Sequence, residues 1–437
     1  MTASSPHVAA ELESIVGRSH TKSSPEECAA YAVDNCIPGA VAAPASAREV
    51  SEIVRFAAKE NLAVIACGSR SKLNIGMPPA RYDIALDMTS LNQIAHYDPA
   101  DLTLSVEAGM SLTTLSTALC EQKQFLPLAV PFADRSTVGG AIASGIDSPL
   151  RQLYGTARDF IIGAEFVNGT GALTKSGGRV VKNVTGYDLH KLLIGSLGTL
   201  AVITRINFRT FPLPLDTRGF LASYPSAAGA LALRDRIANS PLTPSTFEIV
   251  SPGFPHLFPD SGLWHACVGF AGTAEVSGRV SRDLLAFAAE TSSVSAEILG
   301  DQACFTQWQQ IREAIPNLLS TSPAMCIFKI TQLPGALPKL FSLLEKIELP
   351  SVVLAGGSGA FYYGVSPASP DPQLLARTVA SIFEICTEEK ATCSLLWCPT
   401  ELKTHLNIWG RTRPDGGLMK RLKLAFDPQN VLAPGRY

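Results

Sequence analysis

The sequence predicts an α+β protein of more than one domain, on three observations. At 437 residues the chain is too long for one ordinary hydrophobic core. A β-α-β pattern and a Gly-rich stretch fill its first half. Beyond Pro214, helical and strand patterns alternate as they do in a sheet backed by helices. The predicted division is a segment at 1–39, a first domain at 40–213, a second at 214–407 and a tail at 408–437.

The composition narrows the class. Hydrophobic residues make up 46% and charged residues 17%, and mean hydropathy is +0.18, a globular balance rather than a disordered one. With 36 basic and 38 acidic residues and no basic cluster, a nucleic-acid partner is not expected. The N-terminus lacks the charged and apolar regions of a signal peptide, and no apolar run approaches the roughly 20 residues of a membrane span. Ten scattered cysteines without a CxxC point to reduced, buried thiols in the cytoplasm and to no metal site.

In chain order, His7–Val16 suits a short amphipathic helix, and the segment to Pro38 carries no further signal. A strand from Ala40 precedes Ser46 and Glu49, spaced as a capping box, and a helix with Val50, Ile53, Val54 and Ala57 on one face. Leu62–Cys67 is an apolar strand that should run parallel to the first. Cys67-Gly68-Ser69-Arg70-Ser71-Lys72 then lies at a strand's carboxyl end, where ligands of α/β sheets bind. A turn with Gly, two Ser and two cations suits a pyrophosphate, although GxGxxG is missing and such turns are common. Ile84–Met88 reads as a strand, Ala95–Tyr97 with Leu102–Val106 as a hairpin, and Ser111 as the cap of a helix through Leu119.

The stretch from Pro131 to Thr204 crowds glycines and hydroxylated residues between short apolar runs. Thr137, Val138, Gly139 and Gly140 open an Ala-rich turn, so several backbone N–H groups point one way, as an anion site requires. Asn168-Gly169-Thr170-Gly171 is a hairpin turn between Phe160–Val167 and Ala172–Thr174. Tyr187–Ile194 reads as a short helix and Leu200–Phe211 as a long strand, with Pro212 and Pro214 at a domain boundary. The stretch reads as a dinucleotide wrap; the alternative is a run of Gly-rich turns in an ordinary sheet.

Two phosphate-loop decoys fail on context. Gly169–Ser176 misses a Walker A by one residue and sits in a hairpin, and Gly357-Ser358-Gly359 has Tyr362 where a Rossmann loop needs its third glycine. Catalytic candidates are sparse. Arg312 shares a helix face with Trp308 and could grip a substrate carboxylate; the alternative is a packed Trp with a surface Arg. Tyr362 and Tyr363 could hydrogen-bond a substrate or simply pack. His256, His265 and His405 have no partners at catalytic spacing.

Taken in order, Cys67–Lys72, Asp87–Leu91, Ala108-Gly109, Thr137–Gly140 and Gly195–Leu200 resemble the FAD-binding domain of the vanillyl-alcohol oxidase/PCMH flavoproteins. Lys182–Leu189 (KNVTGYDL) and the ending Phe426-Asp427-Pro428 with Pro434-Gly435-Arg436 are similar to FAD-binding subunits of glycolate oxidase. The resemblance implies a two-lobed PCMH-type FAD-binding domain, an α+β cap domain and a tail that returns to the FAD domain. It implies FAD, with Cys67, Gly68, Ser69, Arg70, Ser71 and Lys72 at the pyrophosphate; no His or Cys follows Gly68 in that loop, so the covalent flavin link of some relatives is not expected there and the FAD is expected to be non-covalent. Pro131, Thr137, Val138, Gly139, Gly140 and Gly145 would line the diphosphate and flavin side, and Gly186, Val202 and Ile203 would approach from the second lobe. Glycolate or another small 2-hydroxy acid is the implied substrate. Other glycolate oxidase subunits, a catalytic flavoprotein and an iron–sulfur subunit, are the implied partners, with attachment to the inner membrane through them. The His-rich HGDGNxH and GEHG segments of related D-2-hydroxy-acid dehydrogenases are missing from the sequence, which leaves an accessory, non-catalytic FAD subunit as the alternative.

Overall fold

The computed structural model describes residues 6–179, 186–259, 262–367, 371–410 and 415–437, and these fall into two units. The first comprises Met1–Ile146, Thr156–Leu213 and Thr412–Tyr437. The second comprises Asp147–Gly155 and Pro214–Arg411.

In the first unit, Ser46 caps helix Ala47–Lys59 by accepting the Glu49 N–H. The expected capping box closes one residue early, because the Glu49 carboxylate takes the Ala45 N–H at 2.8 Å. The helix buries Val50, Ile53, Val54 and Ala57 completely, against Ala40, Ala42, Ile84 and Leu86 of the small sheet. Strands Ala40–Ala42 and Val64–Cys67 are parallel, as their β-α-β pattern predicts, but they are not neighbours: Ile84–Asp87 lies between them and pairs with both. A pattern read from consecutive strands does not reveal a later one inserted between them.

A second sheet of five strands is antiparallel throughout, with Ala201–Arg209 flanked by Thr103–Glu107 and Ile161–Asn168. Asn168 fixes its hairpin, the side-chain oxygen accepting from the N–H groups of Thr170 and Ala172 at 3.0 Å each. The helix expected at Tyr187–Ile194 is a 3-10 turn over Leu189–Leu193. Val167 and Val202 reach from this sheet into the core of the small one. The tail is part of this unit: helix Gly416–Phe426 stacks Phe426 on Phe166, and Val64 exchanges backbone hydrogen bonds with Val431 and Ala433.

The second unit is built on an eight-stranded antiparallel sheet. Its strand order begins at Ser295–Leu299 and passes through Asp216–Tyr224, Trp264–Gly272, Thr246–Val250, Ser351–Gly356, Ala360–Val365 and Cys326–Thr331 to Thr392–Trp397. Helices Ala227–Ala238, Ala274–Glu290, Leu337–Leu344 and Pro372–Glu388 bury one face each. Gly357-Ser358-Gly359 makes the tight turn between Ser351–Gly356 and Ala360–Val365, so it opens no helix.

Candidate cofactor site

Three segments of the first unit line one cleft. Strand Val64–Cys67 ends in loop Gly68–Lys72, Thr137 caps the short helix Val138–Ser144, and strand Ala201–Arg209 contributes its first residues. The structure brings Cys67, Gly68, Ser69, Arg70, Ser71, Lys72, Thr137, Gly139, Gly140, Val202 and Ile203 to this cleft. It encloses about 800 Å³ including the solvent at its mouth.

The loop and the helix cap meet too closely for side chains. A Cβ on Gly68 would lie 2.1 Å from Thr137 Oγ1, and one on Gly139 would lie 2.7 Å from Ala108 Cβ. Backbone therefore forms the wall. The N–H groups of Gly68, Ser69, Arg70 and Ser71 have no acceptor among the described residues. Consecutive amides of this kind fit the oxygens of a diphosphate, so the residues present suit a dinucleotide.

The two cations of the loop hold it in place. Lys72 is buried, with Nζ bonded to Ser71 Oγ at 3.1 Å, to the Pro131 carbonyl at 3.4 Å and to Ser136 Oγ. Arg70 adopts a left-handed backbone, φ 65°, which a non-glycine residue occupies only when its surroundings fix it. Its guanidinium lies 4.4 Å from the centre of the Tyr31 ring and 3.7 Å from Asp87 Oδ2. Tyr31 donates to the same oxygen at 2.6 Å. Burial, and next Asp87, pushes the Cys67 thiol far above its usual range, so it lines the cleft as a neutral group.

Four candidates stand off the cleft. Pro131 contributes its carbonyl to Lys72, Val138 is fully buried in the core of the five-stranded sheet, and Gly145 ends the short helix at φ 61°. Gly186 has open space where a Cβ would stand, and Lys182–Thr185 of the KNVTGYDL motif lie outside the described residues. Sequence reasoning did not assign Tyr31, Asp87 or Arg436 to this site. Arg436 lines the cleft and donates to the carbonyls of Leu73 and Ile75 just past the loop. Its place in the Pro-Gly-Arg ending was the available signal; Tyr31 had none.

The catalytic candidates lie in the second unit. Arg312 ends helix Asp301–Arg312 with Nε 3.0 Å from Glu313 Oε1. Tyr362 accepts the Asp147 N–H at 3.3 Å through its hydroxyl. Asp147 Oδ2 is also the target of Arg151 Nη1 at 2.7 Å and Lys329 Nζ at 2.8 Å. On the strand beside them, Glu248 is buried and forms no hydrogen bond through its carboxyl among the described residues. Burial raises its pKa to about 8, with Arg151 pulling it down and Asp147 pushing it up. All ten cysteines are free, and among the described residues no group of His, Cys, Asp and Glu is arranged to hold a metal. Among those residues no helix is long and apolar enough to cross a membrane.

Known proteins match this arrangement. Residues 38–177 fit the FAD binding domain family, and residues 411–437 fit the C-terminal domain of FAD linked oxidases. The chain is 30% identical to glycolate oxidase subunit GlcE of Escherichia coli over 269 residues, covering 60% of this chain and 67% of that one. It is 25% identical to glycolate oxidase subunit GlcD of Bacillus subtilis over 420 residues, 92% of this chain and 89% of the relative. In fold it is similar to p-cresol methylhydroxylase, with a TM-score of 0.77 at 16% identity over 98% of this chain and 96% of that one. With the cleft, the amide-rich loop and the returning tail in place, these matches make the chain an FAD-binding oxidoreductase that belongs to the family of FAD-linked oxidases containing the glycolate oxidase subunits.

Proposed function

We propose that the chain is the FAD-binding subunit of a glycolate-oxidase-type complex that oxidises a small 2-hydroxy acid, glycolate to glyoxylate. The observation that carries the cofactor half of this reading is the run of unengaged amides from Gly68 to Ser71 on a cleft walled by Thr137, Gly139 and Gly140. Similarity to GlcE and GlcD supports the substrate class and a multi-subunit complex; in this reading the partners are a catalytic flavoprotein and an iron–sulfur protein.

In this reading the loop amides hold the diphosphate, and Val202 and Ile203 present an apolar wall to the cofactor. Lys72 and Arg70 keep the loop in shape, each tied to a neighbouring segment. Bound non-covalently, FAD supplies a two-electron acceptor for the hydride of the substrate's α-carbon. Arg312 and Tyr362 are the residues of this chain proposed to face substrate.

A second reading has a specific observation in its favour. Arg312 is already paired with Glu313, and the Tyr362 hydroxyl is engaged by the Asp147 backbone. An accessory subunit, holding FAD while a partner performs the oxidation, needs neither group free. Anaerobic addition of glycolate to the purified FAD-loaded chain separates the two. Bleaching of the flavin absorbance supports catalysis by this chain; an unchanged spectrum that bleaches only when partner subunits are added supports the accessory role.

A further inference from the structure

We propose that the second unit holds a binding site for a small, neutral aromatic amide, built on helix Asp301–Arg312 around Gln307. The buried positions of that helix are Cys304, Gln307 and Ile311, spaced three and four apart on its inward face. Cys304 and Ile311 are each 1% exposed. Gln307 stands between them at 8%, where the stripe calls for an apolar side chain. Its amide makes no hydrogen bond at either end among the described residues, and its Oε1 is buried. A buried amide without partners is destabilising, and such groups are rare in native proteins.

A cavity lies against this side chain. It takes in about 830 Å³ including the solvent at its mouth. Leu257, Phe258, Leu299 and Ala303 give it apolar walls, and Gln302, Thr306 and Gln310 join Gln307 as its polar ones. The loop wall is preformed. The backbone N–H groups of Leu257 and Phe258 both donate to the Phe254 carbonyl at 3.0 Å, and the Phe258 ring stacks on His265 with centroids 3.7 Å apart. None of the residues that line this cavity lines the cofactor cleft.

The lining selects the ligand. Among the described residues no ionisable side chain lines the cavity, so nothing there compensates an ion and the ligand is neutral. Phe258 and the leucines favour a flat, apolar ring. A primary amide presents N–H donors beside a carbonyl acceptor, and the group that answers both is another amide. The Thr306 hydroxyl spends its proton on the Gln302 carbonyl at 2.9 Å, which leaves its lone pairs as a further acceptor for a ligand N–H.

Benzamide is the probe, titrated by calorimetry into the full-length, FAD-loaded chain, with benzoate as its charged counterpart. The expected result is one saturable benzamide site per chain, with benzoate about tenfold weaker or more for want of N–H donors and of any cation to meet it. Gln307→Leu restores the apolar stripe. It should unfold no earlier than the native chain and bind benzamide about five- to tenfold more weakly. Ala303→Trp fills the cavity from the exposed side of the helix and should abolish binding, which keeps the test decisive if Gln307→Leu fails to fold. A native chain without saturable benzamide binding overturns the proposal, as does benzoate bound as tightly as benzamide. Native-strength binding in either folded variant overturns it too.

Discussion

Replacing Glu248 by Gln should flatten the pH dependence of the second unit's stability between pH 6.5 and 8. Burial lifts this carboxyl from its ordinary 4.5 to about 8. The folded state thus holds the proton more tightly than the unfolded chain. The contribution is fully present below about pH 4.5 and is lost as pH rises through about 8. His265 runs the other way. Buried against Phe258 and bonded to Ser223, it is pushed down from 6.5 to about 4, so its contribution is present above 6.5 and lost as pH falls through about 4. The two slopes offset each other between about pH 4.5 and 6.5. From 6.5 to 8 Glu248 acts without that offset, and about 1.5 pH units at about 1.4 kcal/mol each gives a loss of about 2 kcal/mol. Hydrogen exchange of peptides spanning Thr246–Val250, corrected for the intrinsic pH effect, reads this unit directly. Native protein should lose about 2 kcal/mol of protection across the window and Glu248→Gln almost none. Parallel slopes in the two proteins would refute the assignment of Glu248 as a buried neutral acid.

Other perturbations have equally definite outcomes. Gly68→Val drives a side chain into Thr137, so the purified variant should carry well under one FAD per chain; a full flavin complement would show that the loop does not wall the cofactor. Tyr31→Phe keeps the ring under Arg70 and deletes the bond to Asp87, and should cost about 1.5–3 kcal/mol in urea unfolding. A change within about 0.5 kcal/mol of native would place that bond among the expendable ones. Asp427→Ala strips the carboxylate partner from half-buried Lys423 and the acceptor from the Val431 and Leu432 N–H groups. The expected loss is about 3–5 kcal/mol, read from the same denaturation series.

What was legible in the sequence was local. Ser46, Ser111 and Asn168 announced their caps and turn because a hydroxyl or amide satisfies backbone groups only a few residues away. Strands such as Val64–Cys67 showed as apolar runs because both their faces are largely buried. Asp216–Tyr224 and Ser295–Leu299 escaped notice, since exposed and polar positions interrupt their patterns. The loop Gly68–Lys72 was readable from its place after a strand. The Tyr31–Asp87 contact was not, because nothing in the sequence ties residues 56 apart. Nor could spacing alone show that Asp147, inside the Gly-rich stretch, meets Lys329.

The returning tail has a consequence for biosynthesis. Val64 sits beside the cofactor loop and completes its hydrogen bonds with Val431 and Ala433, while Arg436 braces Leu73 and Ile75. A nascent chain emerging from the ribosome thus displays Gly68–Lys72 long before the residues that brace it exist. The second unit is built from Asp147–Gly155 and Pro214–Arg411, so its residues are complete before the tail is translated and can fold while translation continues. A ribosome that stalls before residue 427 should therefore release a chain whose cleft lacks the braces from Val431, Ala433 and Arg436.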